Sequence, residues 1–98
     1  MTPGATEGSL HQRDLTIVNK RGLHARAAAR FVQCAERFEA EITVAKDATT
    51  VGGTSSMGLM MLAAGPGSVI TVSAEGIDAE AALVALAELV DGMFGEEG

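Results

Sequence analysis

The sequence predicts an α+β fold in which one sheet is covered on one face by helices. Three observations lead there. Four short β-branched or alternating segments are separated by segments with helical spacing, in the order β-α-β-β-α-β-α. The chain has 98 residues, the length of one domain. It contains no internal repeat and no linker that would divide it.

The first strand is expected over about Asp14–Asn19, with Leu15 and Ile17 on one face and Thr16 and Val18 on the other. Residues 1–12 read as a flexible tail. Lys20-Arg21-Gly22-Leu23-His24 forms a turn into a helix over about Ala25–Phe38, whose apolar stripe is Ala28, Phe31, Val32, Ala35 and Phe38. Strands follow at about Glu41–Lys46 and Thr49–Gly52, joined by Asp47-Ala48. A short apolar helix over about Ser56–Ala63 ends at Gly65-Pro66-Gly67, because proline cannot continue a helix. Ser68–Ala74 is a strand, and Asp78 is placed to cap the last helix, which buries Ala82, Leu83, Leu86, Val90 and Met93. Gly95–Gly98 is expected to fray, which leaves 13–94 as the domain.

Hydrophobic residues make up 47% of the chain, so it can bury a core, though with no Trp, no Tyr and three Phe that core is aliphatic. No apolar run is long enough to span a bilayer, and Met1–His11 lacks the apolar centre of a signal peptide. Cys34 is the only cysteine, which fits a reducing cytoplasm and a small side chain packed on the first helix. The formal net charge of −6 argues against nucleic acid as a partner. All seven basic residues lie at or before Lys46, and Lys20, Arg21, Arg26 and Arg30 surround His24. Gly52-Gly53 has no GxxxxGK[ST] context and reads as structural.

His24 stands where the turn meets the helix. The free N–H groups of the first helical turn and the positive end of the helix favour an anion there and an uncharged, nucleophilic imidazole. Arg26, two residues on, carries a forked donor suited to phosphate oxygens. A lone histidine at a helix start is more often an ordinary capping or surface residue; Gly22, Arg26 and the basic surround bring a transient phosphohistidine level with that reading.

Gly22-Leu23-His24-Ala25-Arg26, followed by Ala28-Ala29-Arg30-Phe31-Val32, closely resembles the active-site motif of the HPr family, the histidine-containing phosphocarriers of the phosphotransferase system. The likeness continues through Glu41–Val44, Ser55–Leu59 and Gly67–Gly76, and spans about residues 14–93. It implies an open-faced β-sandwich, a four-stranded antiparallel sheet with three helices on one side. It implies a cytoplasmic carrier that is not itself an enzyme, works without a cofactor or metal, and is a monomer. His24 would take a phosphoryl group on Nδ1 from enzyme I, with phosphoenolpyruvate as the ultimate donor, and pass it to an enzyme IIA; Arg26 would match the family's active-site arginine. Sugar uptake and a nitrogen-related regulatory branch are both open. The family's usual proline after that arginine is here Ala27, which adds an N–H donor.

Ser55 matches the serine that HPr kinase/phosphorylase modifies in some bacteria; as a plain helix cap it would look the same. Met57, Met60 and Met61 fit a core stripe somewhat better than a docking surface, although by resemblance part of this helix faces the partner. Met57, with Lys20, Arg21 and Arg30, would then form an adaptable patch for partners with acidic rims. Two alternatives compete: an acylphosphatase-like hydrolase, and a non-catalytic regulatory module, either a ligand-binding domain or an HPr-like protein that signals only through Ser55.

Overall fold

The computed structural model describes residues 10–96. Strands β1 (Leu10–Thr16), β2 (Glu41–Lys46), β3 (Thr49–Gly52) and β4 (Val69–Glu75) form one sheet in the order β1-β4-β2-β3. Every neighbouring pair is antiparallel. Helices α1 (Ala25–Ala35), α2 (Ser56–Met61) and α3 (Ala79–Asp91) complete the predicted element order, and a short 3-10 turn, Met93–Gly95, follows α3.

The alternation along the strands decides which face is covered. Leu15, Ile42, Val44, Ile70, Val72 and Ala74 point to one side and are buried, together with Ile17 just past the end of β1. The helices close over them with Ala28 and Phe31 from α1, Leu59 from α2, and Leu83, Leu86 and Val90 from α3. Phe31 is fully buried at the centre of this aliphatic core; a side chain of that kind contributes about 1.5–3 kcal/mol on burial. The opposite face carries polar cross-strand pairs. Thr71 Oγ1 donates to Asp14 Oδ1 at 2.8 Å and Gln12 Nε2 to Ser73 Oγ at 3.2 Å, each pair directly opposite in the β1–β4 register.

The boundaries differ from the sequence reading in instructive places. β1 begins at Leu10 rather than Asp14, so residues 10–12, assigned to the tail, pair with Glu75, Ala74 and Ser73 of β4. His11 and Arg13 occupy the inward positions there, which breaks the apolar alternation that marks a strand. Residues 1–9 of the expected tail, and Glu97-Gly98 of the expected frayed end, lie outside the described residues. α1 stops at Ala35 instead of Phe38, its chain tightening into i→i+3 bonds from Arg37 N–H to Cys34 and from Phe38 N–H to Ala35. α2 ends before Gly65, where Ala63 turns into the left-handed region at φ 53°. Asp78 precedes α3 as expected, but its carboxylate does not cap that helix: it accepts from the Glu39 amide at 2.8 Å and ties α3 to the loop before β2.

The turn between β1 and α1 is fixed from below. Gly22 has φ +65°, and a Cβ there would run into the Ala64 carbonyl oxygen and lie 2.9 Å from Gly65 Cα. Leu23 N–H donates to that same Ala64 carbonyl at 2.9 Å, and the Leu23 side chain is buried. The turn therefore lies flush on the α2–β4 loop. Gly22→Ala combines a positive φ with a backbone collision, and we expect it to cost about 2 kcal/mol or more, read as a lower midpoint in urea unfolding with an unchanged slope.

Candidate functional site

The docked turn delivers His24 to the N-cap position of α1, with φ −78° and ψ −177°. Its carbonyl accepts the first intrahelical bond, from Ala28 N–H at 2.8 Å. The first-turn amides before Ala28, including the one Ala27 has where the family pattern has proline, are not used by that ladder, and the His24 side chain does not cap them. They stay available at the positive end of an eleven-residue helix.

The imidazole is largely covered. Its side chain is 21% exposed, and Nε2 is hydrogen-bonded to Glu96 Oε2. Asn19 Nδ2 donates to the same carboxylate oxygen at 3.1 Å and to the Gly22 carbonyl at 2.9 Å. Asn19 is fully buried, and its Oδ1 has no partner among the described residues. Desolvation pushes the Glu96 carboxyl upward. The hydrogen bonds from His24 and Asn19, with the nearby charges of His24 and Arg21, outweigh it and hold the group below the usual carboxylate range. An ionised carboxylate can only accept, and Nε2 is the ring nitrogen that it engages.

Neither Asn19 nor Glu96 was singled out as part of the site from the sequence. Glu96 was assigned to a fraying end, yet Phe94, two residues earlier, is 2% exposed and pins the segment to the core. An aromatic residue in an otherwise small and acidic tail was the available signal. Asn19 is the chain's single asparagine, and nothing next to it in the sequence marks a role.

The remaining predicted residues are distributed around this centre. Lys20 and Arg21 are exposed in the same turn as His24. Arg30 is exposed on α1 and donates Nη1–H to the Phe94 carbonyl at 3.0 Å, so it braces the segment that carries Glu96. Arg26, also exposed, lines a shallow groove between α1 and α3 with Arg30 and Arg37, and forms no hydrogen bond with His24. Ser55 is the N-cap of α2, accepting from Gly58 N–H at 3.0 Å, so the capping role is realised. Met57 and Met61 are 70% and 74% exposed, and Met60 is exposed too. The methionines, weighted toward the core, stand outside it because Leu59 and Leu62 take the inward positions. Cys34 is half-buried, and burial raises its thiol pKa despite the opposing charge of Arg37. Gly53 is structural: its amide bonds the Ile42 carbonyl at 2.7 Å.

Comparisons with known proteins identify the family. Residues 11–91 match the family model described as "PTS HPr component phosphorylation site". The chain is 47% identical over 85 residues to the phosphocarrier protein HPr of Neisseria meningitidis, covering 87% of this chain and 96% of that one. It is 46% identical to the phosphocarrier protein NPr of Shewanella violacea, covering 87% and 93%. Among solved structures, HPr-C-His from Thermoanaerobacter tengcongensis superposes with a TM-score of 0.85 at 46% identity, covering 90% of this chain and 99% of that one. HPr from Bacillus anthracis gives 0.80 at 51% identity, covering 84% and 98%. The four-stranded antiparallel sheet, the three helices over one face and these matches place the chain in the HPr family of phosphotransferase-system phosphocarriers.

Proposed function

We propose that this chain carries a phosphoryl group on His24 Nδ1, takes it from enzyme I with phosphoenolpyruvate as ultimate donor, and delivers it to an enzyme IIA of the sugar-uptake or the nitrogen-related branch. The observation that carries the reading is the position of His24: an imidazole at the N-cap of α1, beside unused backbone amides, with its Nε2 already engaged by a carboxylate. In the first transfer the Nδ1–phosphorus bond forms as the bond from phosphorus to its carrier atom on enzyme I breaks; in the second the Nδ1–phosphorus bond breaks as the bond from phosphorus to the acceptor forms. Little covalent chemistry is asked of the protein; it supplies position and positive charge. The α1 amides and the Arg26 guanidinium serve the phosphoryl oxygens, Arg26 turning from its groove toward the group as it arrives.

The docking surface is α2 with the surrounding bases. Met57 offers adaptable apolar area, and Lys20, Arg21 and Arg30 steer acidic partners to it. The carrier works as a cytoplasmic monomer; a Thermoanaerobacter tengcongensis relative at 49% identity has been solved as a dimer, so sedimentation of this chain is the relevant check. In this reading Ser55, exposed at the cap of α2, is modified by HPr kinase/phosphorylase where the host has one.

Incubation with enzyme I and labelled phosphoenolpyruvate tests the central claim: the wild-type chain takes up acid-labile label, and His24→Ala takes none while keeping its circular dichroism and melting temperature. Label on the alanine variant overturns the assignment. Arg26→Ala is expected to slow transfer roughly ten- to a hundredfold, the loss of one charge-assisted contact of about 1.5–3 kcal/mol, with stability unchanged; wild-type kinetics in both directions remove Arg26 from the site. Ser55→Asp places a negative charge at the helix start, where the fold tolerates it, and inside the patch that attracts acidic partners. Phosphorylation by enzyme I should weaken, and the defect should shrink as salt is raised, since exposed charges are screened over about 8 Å at physiological ionic strength. Full transfer at low salt leaves Ser55 a helix cap only.

A further inference from the structure

We propose that Glu96 is a positioning residue for phosphoryl transfer, and that its carboxylate, supported by Asn19, holds the His24 ring through Nε2 so that Nδ1 is presented as the nucleophile; the inference rests on the phosphocarrier reading of His24. Nothing in the carrier motif at residues 22–26 calls for an acid seventy residues further on. The fold nonetheless brings it there. Glu96 Oε2 receives two donors, Nε2 of His24 and Nδ2 of Asn19, and one of these comes from a fully buried side chain whose other bond, to the Gly22 carbonyl, fixes it within the docked turn.

The segment bearing Glu96 is built to reach this point. After α3 the chain passes through three successive residues with positive φ, Met93 at 59°, Phe94 at 54° and Gly95 at 80°. Two of them are residues for which this conformation is uncommon, so surrounding contacts must impose it. The contacts are visible: Phe94 is buried in the core, its carbonyl accepts from Arg30 Nη1 at 3.0 Å, and Glu96 N–H closes the turn onto the Met93 carbonyl at 2.8 Å. The carboxylate is anchored on both sides, by the core behind it and by Asn19 beside it.

The chemistry follows from which nitrogen is held. Nε2 keeps its proton and donates it to Glu96, so the lone pair is on Nδ1. As Nδ1 bonds to phosphorus and the bond to the donor breaks, the ring gains positive charge while Nε2 retains its proton; the carboxylate already faces that charge. When the group leaves for the acceptor the ring returns to its neutral form, and no proton changes hands. This is the logic by which a buried carboxylate orients a catalytic imidazole and stabilises its charged form. Among the described residues, the charged and polar groups around the pair are Arg21 and Asn19 from the turn, Arg30 from α1, and the α1 amides.

The test uses the full chain as wild type, Glu96→Gln and Glu96→Ala. In ring-resolved 1H–15N spectra at a pH where the imidazole is neutral, the wild type should show a downfield, exchange-protected Nε2–H signal for His24. The signal should weaken in Glu96→Gln, which keeps an acceptor but loses the charge, and vanish in Glu96→Ala. Transfer from enzyme I should fall about tenfold in Glu96→Ala and less in Glu96→Gln, with the melting temperature of both close to wild type. An unprotected Nε2–H in the wild type, or transfer in Glu96→Ala as fast as in the wild type, overturns the proposal. If the wild-type chain takes no label from enzyme I, the carrier reading fails and takes the transfer role of Glu96 with it, while the spectra still decide, with no partner present, whether the carboxylate holds the ring.

Discussion

The seating of the Asn19–Leu23 turn on the loop after α2 governs much else in this molecule. Leu23 N–H bonds the Ala64 carbonyl, and Gly22 lies so close to that carbonyl that no side chain fits between them. The bond fixes where α1 starts, and α1 in turn presents Phe31 and Ala28 to the sheet. It also fixes the N-cap, so the residue at position 24 sits at the positive end of the helix by construction rather than by its own preference; histidine is not among the favoured capping residues, and its side chain makes no capping bond.

That arrangement leaves opposing charges in a small space. Lys20, Arg21 and the helix end make the surroundings of His24 positive, while the Glu96 carboxylate lies directly against the ring. The chain as a whole is acidic, with a formal net charge of −6, yet its bases are confined to the first half of the sequence, and Arg26 and Arg30 of α1 line one groove with Arg37 just past its end. A partner approaching this end meets positive potential that the net charge conceals, and association governed by such a local field is sensitive to ionic strength.

The sequence revealed the parts of the fold that carry strong periodicity. The bounds of β2 and β3 were read correctly, and β4 was displaced by one residue, because β-branched runs bounded by turn residues leave few options. The start of β1 was hidden because His11 and Arg13 fill its inward positions, and only pairing with β4 makes Leu10–Gln12 a strand. In the site, His24 was visible through a short contiguous motif, while Arg26 of the same motif lines the α1–α3 groove. Asn19 and Glu96 were not, since they join the ring only by way of the tertiary fold: the spacing of 72 residues between His24 and Glu96 leaves no local trace. Methionine is usually a core residue, but a six-residue helix that turns Leu59 inward, with Leu62 buried at its C-cap, has no room to bury the methionines of α2.

The register of β1 against β4 has a kinetic side. Leu10 lies opposite Glu75 and Thr16 opposite Val69, so the strand that leads into the His24 turn finds its partner more than fifty residues away. Such pairings must close a long loop before any contact rewards them, and chains dominated by them fold in milliseconds to seconds rather than microseconds. Helices α1 and α2 are local and can form early, but the pocket around His24 draws on residues 19, 22, 64 and 96 together. A partly folded chain can thus contain the whole sequence motif, and even the helix that follows it, without containing the site.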